Sequence, residues 1–227
     1  MIFTLLSLDI EFWAKLVLLA LFACALLVAI IPHEVAHGYA ALKMGDPSAK
    51  VAGRLSLNPK RHMEPMGLLA FCIMGIGWAK PVPVNPFNFK NYRRGNFVVS
   101  VAGVLTNLVL AFILSFALFL VVHFTDFRVN FNTMNSTWTD LLGMFLYLCV
   151  LLNITLMLFN LLPICPLDGF NMLESYTKPN NRFMAFMREN SMWVLMLTII
   201  VLFLTNFFGI VTNFVLEGFM GFWGLMF

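Results

Sequence analysis

The chain has 227 residues, of which 61% are hydrophobic and only 11% are charged. This composition excludes an ordinary soluble domain, in which about 25% of residues are charged. The net charge of +3 gives no reason to expect a nucleic-acid partner. We therefore expect an α-helical polytopic membrane protein, embedded in a lipid bilayer by about four to six transmembrane helices.

Apolar runs near 20 residues predict the membrane spans, because the hydrocarbon core is about 30 Å thick and a helix rises about 1.5 Å per residue. Three runs are clear, at residues 13–42, 97–123 and 141–162. A fourth covers about 192–209. The apolar tail after it contains polar residues and glycines, so the sequence leaves open whether the tail crosses the membrane, re-enters it or lies flat.

Residues 48–92, between the first two predicted spans, are rich in glycine and proline, which break helices. Short pieces such as AKVAGRLSL and AKPVPVN favour extended backbone, so we predict a small β-rich loop region at the membrane surface. The apolar segment MGLLAFCIMGIGW between them has only 13 residues, which favours a re-entrant or interfacial element over a span.

The distribution of basic residues predicts the orientation in the membrane. Nine Lys and Arg residues lie within 43–95, and three more follow the third span, so twelve of the fourteen fall on one side. Cytoplasmic loops carry an excess of basic residues. The N-terminus is therefore predicted outside, and the loop after the first span is predicted in the cytoplasm.

The first predicted span contains an ionisable cluster, IPHEVAHGYA, towards its cytoplasmic end. Ionisable groups in a membrane span are costly, and they indicate a functional site by default. His33 and His37 are four residues apart, so on a helix both imidazoles project from one face and can bind the same ion. Glu34 lies beside them. This pattern is typical of zinc with a carboxylate base.

A catalytic zinc ion takes three protein ligands and leaves a position for water, so a third ligand must come from elsewhere in the chain. The predicted topology excludes the acidic residues on the outer side and disfavours those in the polar loop. They are Asp9, Glu11, Asp126 and Asp140 on the outer side, and Asp46 and Glu64 in the loop. Asp168 is the best remaining candidate, because it lies at the cytoplasmic end of the third span, in a stretch broken by prolines.

Five motifs in this order and spacing resemble the site-2 protease family of intramembrane zinc metalloproteases: HEVAHGYAALKMGD, GRLSLNPKRHMEPMG, GWAKPVPVNP, SVAGVLTNL and FNLLPICPLDG. The resemblance covers about residues 30–175 and is to the small bacterial members that lack a PDZ domain. It implies that His33, His37 and Asp168 bind one zinc ion, with Glu34 as the general base. It also implies a catalytic membrane core in residues 1–175, followed by C-terminal membrane helices in 176–227.

The resemblance also points to residues with less direct chemistry. Asn160 matches the asparagine that helps to position the substrate backbone in the family, with helix packing as the alternative role. Asn107 and His62 also lie at positions of recurrent family motifs. Asn107 is a candidate substrate contact, but for each of the two residues a purely architectural role is an equal alternative. The chain departs from the family pattern at Cys165, where proline is usual, and at Glu64, where aspartate is usual. We expect Cys165 to be a packing residue.

The predicted function is hydrolysis of peptide bonds in or near transmembrane segments of membrane proteins. The resemblance implies a single-span substrate, such as an anti-sigma factor or a remnant signal peptide, and a bacterial inner (cytoplasmic) membrane with the active site towards the cytoplasm. An extended edge within residues 48–90 is predicted to hold the unwound substrate by backbone pairing. Two alternatives are a metal-ion transporter or channel with the same ligands, which needs further ligands along its path, and an inactive membrane scaffold.

Overall fold

The computed structural model describes residues 11–64, 80–129, 137–178 and 181–227. Helices account for most of this part of the chain. In chain order they are α1 (Phe12–Met44), α2 (Ser48–Val51), α3 (Tyr92–Phe124), α4 (Trp138–Asn160), α5 (Asp168–Tyr176), α6 (Arg182–Glu189), α7 (Ser191–Leu204) and α8 (Phe207–Gly224).

The three long helices α1, α3 and α4 pack against one another in all three pairs and form the centre of the molecule. They begin one to five residues before the predicted spans, because hydropathy marks the apolar part of a helix and not its polar caps. Helices α1 and α3 also extend one or two residues past the predicted ends, whereas α4 ends at Asn160, two residues before the predicted end. Small and medium apolar side chains fill the contacts; among them, Ala25 on α1 and Cys149 on α4 are fully buried together. The prediction of a helical, multi-span membrane protein is confirmed.

Among the described residues, four helices are long and apolar enough to cross a membrane: α1, α3, α4 and α8. A fifth span results if α6 and α7 are taken together. The predicted fourth span at 192–209 is wrong in its bounds. Helix α7 has only 14 residues, about 21 Å of helix, and the chain breaks at Asn206, whose φ is +49°. The tail instead forms α8, which packs on α3 and α4.

Aromatic contacts hold the C-terminal end of α8 against α3. The Trp223 ring lies 4.6 Å from that of Phe112 and 4.7 Å from that of Phe116, measured between ring centroids. The indole Nε1–H donates to Ser115 Oγ at 2.9 Å. Trp223 is partly buried, and an indole N–H removed from water normally finds such an acceptor. This hydrogen bond fixes the register between α8 and α3.

The predicted β-rich loop is not supported by the residues described there, 48–64 and 80–92. These form α2, two 3₁₀ turns and irregular backbone, with an isolated bridge at Met63 and no strand. The Lys80 N–H donates to the His62 carbonyl at 2.8 Å, which brings the two described stretches together. The apolar segment predicted to be re-entrant, residues 66–78, lies outside the described residues.

The connection between α4 and α5 sets the position of Asp168, which is the first residue of α5. The chain turns back so tightly that a Cβ at Gly169 would lie 2.3 Å from the Leu161 carbonyl oxygen. Only glycine fits at that distance. Leu167 and Phe170 on either side pack into a buried cluster with Met184 and Met187 of α6. The acidic side chain is therefore held by a packed corner and not by a free loop.

Candidate metal centre

Three side chains from two distant parts of the chain converge on one point. His33 and His37 lie one turn apart on α1, and Asp168 begins α5. The two Nε2 atoms are 3.0 Å apart, and Asp168 Oδ2 lies 3.4 Å from His33 Nε2 and 3.3 Å from His37 Nε2. Within the described ranges, this is the one group of three such side chains able to hold a metal ion.

Hydrogen bonds behind the imidazoles aim both Nε2 atoms at this point. His33 Nδ1 lies 2.5 Å from Asn107 Oδ1, and His37 Nδ1 lies 2.8 Å from the Val99 carbonyl oxygen. These oxygens can only accept, so each Nδ1 carries the hydrogen and each Nε2 keeps a free lone pair. Histidines that bind metals are usually oriented in this way.

The orientation of the Asn107 amide follows from its other partners. Asn107 is fully buried on α3, and its Nδ2 donates to the Ala29 carbonyl at 3.1 Å and to Asn153 Oδ1 at 2.8 Å. An amide nitrogen has two hydrogens, and both are used by these contacts. The oxygen therefore faces His33.

The three converging atoms fit a divalent cation. Two imidazole lone pairs and a carboxylate oxygen lie within 3.4 Å of one another, and Asp168 Oδ2 is buried without a hydrogen-bond partner. Protonation of one imidazole would pair that ring alone with Asp168, whereas one cation pairs all three atoms. Two imidazole nitrogens and one carboxylate oxygen are a ligand set that suits catalytic zinc.

The backbone of α3 approaches the two imidazoles closely at Gly103. A Cβ at this position would lie 2.6 Å from His33 Cε1 and 2.6 Å from both Cε1 and Nε2 of His37. Real Cβ atoms essentially never come within 3.0 Å of such neighbours. The absence of a side chain at Gly103 thus lets α3 support both rings by direct contact.

Glu34 is tied to the loop that precedes α3. Its Oε2 accepts a hydrogen bond of 2.8 Å from the Val82 N–H. Val82 lies between Pro81 and Pro83, which have no N–H, so it is the single backbone donor of these three residues. The Val82 side chain is buried, which fixes the donor in place. Glu34 therefore has a defined position beside the two histidines.

A second carboxylate, Asp46, anchors the same loop to the end of α1. It is fully buried and accepts from the N–H and hydroxyl of Ser48 at 3.1 and 2.6 Å, the Asn85 N–H at 2.6 Å and the Asn88 side chain at 2.8 Å. Burial alone would raise the pKa of the Asp46 carboxyl, but these donors outweigh it and hold that pKa below its usual range. Asp46 is thus an organiser of the loop.

Substitution Asp46→Ala is expected to destabilise the protein by about 2–4 kcal/mol, since four donors lose a charged acceptor. For a chain of this size the melting temperature of the detergent-purified protein should fall by roughly 4–16 °C. Asp126→Ala, at an exposed position, is the matched control and should change it little.

The contribution of Asp46 should also depend on pH. Because its folded-state pKa is lowered, the stabilisation is complete above the unfolded pKa of about 3.9 and is lost as pH falls through the folded value. The difference in melting temperature between the wild type and Asp46→Ala should stay constant from pH 8 to 5 and shrink below about pH 4. A difference that instead grows on acidification would contradict the proposed role.

The other residues singled out from the sequence lie outside this convergence. His62 is buried and its Nε2 is 2.7 Å from the Ser56 carbonyl, within the loop. Asn160 ends α4, is partly exposed, and donates to the Leu156 carbonyl of its own helix at 3.0 Å. Cys165 is partly exposed in the connection between α4 and α5. The roles predicted for them stay predictions.

Asn153 and Val82 contribute to the site but were not identified from the sequence. Asn153 could have been identified, because an amide in the middle of an apolar span predicts a hydrogen bond to another helix. Val82 could not have been identified, because it contributes only its backbone N–H, which the side-chain sequence does not reveal.

The chain is also similar in sequence to known proteins. The sequence model of peptidase family M50 matches residues 21–204 of the chain. "Putative zinc metalloprotease YwhC" of Bacillus subtilis (strain 168) is 39% identical over 176 residues, which are 78% of each chain. "Putative zinc metalloprotease Rip2" of Mycobacterium tuberculosis (strain H37Rv) is 31% identical over 163 residues, 69% of this chain and 57% of the relative. No solved structure matches the chain significantly.

The family match covers most of the chain, and the similarity to the first of these relatives spans more than two thirds of both proteins. Together with the apolar helices, this identifies an integral membrane protein of the protease class. The chain belongs to peptidase family M50, the site-2 protease family, and is a zinc metalloprotease.

Proposed function

We propose that the protein hydrolyses peptide bonds in or near transmembrane segments of membrane proteins, using a single zinc ion bound by His33, His37 and Asp168. The observation that carries this proposal is the convergence of three ligand atoms within 3.4 Å of one another, beside a carboxylate that is not part of the group. The substrate class we propose is a single-span membrane protein, such as an anti-sigma factor or a remnant signal peptide.

In the proposed mechanism the ion supplies Lewis acidity: when bound, zinc lowers the pKa of a coordinated water to about 7 and polarises the scissile carbonyl. Glu34 accepts the proton of the attacking water and delivers it to the leaving amine. The Val82 N–H holds one oxygen of Glu34, which leaves the other oxygen for proton transfer. Asn107 and the Val99 carbonyl keep the imidazoles in the tautomer that presents Nε2.

We propose different roles for Asn107 and Asn160. Asn107 is fully buried and uses all its hydrogen-bonding groups inside the protein, which favours positioning of His33 over contact with a substrate. Asn160 is partly exposed at the end of α4, and we propose that its side-chain oxygen contacts the substrate backbone. We propose an active site that faces the cytoplasmic side of a bacterial inner membrane, on the basis of the basic residues around it.

The two alternative functions, a metal transporter and an inactive scaffold, predict different sets of residues. A metal transporter needs further ligand groups along a path, and the residues that the structure describes contain one such group. An inactive scaffold is expected to lack a ligand or the base, but His33, Glu34, His37 and Asp168 are all present.

Removal of zinc tests the proposal. The detergent-purified protein is incubated with a panel of tagged transmembrane segments before and after treatment with a chelator. Cleavage is expected to stop after chelation and to return on addition of one zinc ion per chain, because all three ligands belong to one centre. Zinc binding with no cleavage of any segment would contradict proteolysis, and zinc uptake by vesicles containing the protein would support transport. Cleavage that persists without metal would contradict a zinc mechanism.

A further inference from the structure

Asn153 connects the third long helix to the metal centre through one intermediate side chain. It lies on α4 and is fully buried. Its Oδ1 accepts from Asn107 Nδ2 at 2.8 Å, and its own Nδ2 donates to the Cys149 carbonyl at 2.8 Å. Because the Cys149 carbonyl can only accept, the orientation of the Asn153 amide is fixed, with the oxygen towards Asn107.

The orientation of Asn107 in turn decides which nitrogen of His33 carries the hydrogen. A flipped Asn107 amide would offer Nδ2 to His33, so Nδ1 would become the acceptor and the hydrogen would move to Nε2. An Nε2 that carries a hydrogen cannot bind the metal. The flip would also set Asn107 Oδ1 against two acceptors, the Ala29 carbonyl and Asn153 Oδ1. Asn153 thus supplies one of the two contacts that oppose the wrong tautomer.

We propose that Asn153 is a positioning residue for the metal centre, which sets the affinity for zinc by fixing Asn107 and, through it, His33. This inference rests on the proposed function only in taking His33 as a zinc ligand. A helix-packing amide would stabilise the contact of α3 with α4 and leave the zinc affinity of the folded protein unchanged. Zinc affinity therefore distinguishes the two roles, and it does not depend on finding a substrate.

The test is a double-mutant cycle on the zinc dissociation constant, measured by competition with a chromogenic chelator on the full chain in detergent. Outer-shell partners typically contribute 10–100-fold to metal affinity. Asn107→Ala is therefore expected to weaken binding by about 10–100-fold, and Asn153→Leu by roughly 5–30-fold. In the double variant the loss should equal that of Asn107→Ala alone, because Asn153 acts through Asn107.

Two further variants make the cycle specific. Ser115→Ala removes another fully buried hydrogen-bonding group of α3, about 12 Å along the helix from Asn107, and should leave the zinc dissociation constant unchanged. Asn153→Asp keeps an oxygen acceptor for Asn107 and should retain most of the affinity. If Asn153→Leu does not fold, Asn153→Ala removes the same acceptor without added volume and carries the same expectation.

The outcomes are distinct from those that test proteolysis. A dissociation constant for Asn153→Leu within a factor of two of the wild type would overturn the proposal. So would an Asn153 effect that is undiminished in the Asn107→Ala background, since it would then not pass through that residue. Non-additive loss with an intact Ser115→Ala control would support it, even if the wild type cleaves no segment and the proposed function fails.

Discussion

Substitution Glu34→Gln is expected to reduce cleavage of a transmembrane substrate by about 10²–10⁴-fold while zinc stays bound at the wild-type stoichiometry. A positioned general base contributes roughly that factor. Zinc should remain because Glu34 is not among the three converging ligand atoms. The rate constant from a gel-based cleavage assay and the zinc content of the same preparation are the two measurements.

The structure indicates that this variant keeps its local fold. Glutamine retains a carbonyl oxygen, which can accept from the Val82 N–H as Glu34 does at 2.8 Å. Asp168→Asn is the matched comparison, because it is equally conservative but removes the charge of a ligand, and it should lose zinc and activity together. A Glu34→Gln variant that cleaves at the wild-type rate would exclude Glu34 as the base, and one that loses zinc would make it a ligand.

The long helices and two of the three ligands could be predicted because their signals are local. Hydropathy alone marks α1, α3 and α4, and the spacing of four between His33 and His37 places both rings on one helical face. Asp168 could be predicted only from its expected depth and side of the membrane, since no local pattern links it to the two histidines 131 and 135 positions earlier. The structure brings all three together.

The loop before α3 could not be predicted, because composition does not reveal where backbone N–H groups go. Its glycines and prolines favoured extended backbone, and extended backbone forms a strand only with a partner. The Val82 N–H is taken by Glu34 and the Asn85 N–H by Asp46, while Pro81 and Pro83 have none. Side-chain carboxylates from α1 and its end thus replace the strand partners that the prediction assumed.

The bounds of the C-terminal helices could not be predicted from hydropathy either. Residues 192–209 are mostly apolar, so hydropathy predicts one span there, yet Asn206 within them adopts a positive φ and separates α7 from α8. Asparagine adopts this conformation more readily than most residues do. The break lets α8 turn onto α3, where Trp223 meets Ser115. The backbone conformation at Asn206 therefore decides which apolar segment packs on the core.

The largest loss of zinc from a change outside the ligands is expected for Gly103→Ala. The new Cβ would lie 2.6 Å from atoms of both His33 and His37, so both rings must move. Neither ring can move freely, because Asn107 and the Val99 carbonyl hold their Nδ1 atoms. We expect zinc affinity to fall at least about 100-fold, beyond the effect of one outer-shell partner, because both imidazoles are displaced. Chelator competition measures it.

The same substitution should destabilise the fold by no more than about 2 kcal/mol. Overpacking costs about 1–3 kcal/mol, whereas alanine in a helix is about 1 kcal/mol more favourable than glycine, so the two effects partly cancel. Gly218→Ala on α8, where a Cβ would meet nothing within 4 Å, is the matched control and should bind zinc as the wild type does. If Gly103→Ala bound zinc normally, α3 would not support the imidazoles by contact, and their orientation would depend on the hydrogen bonds alone.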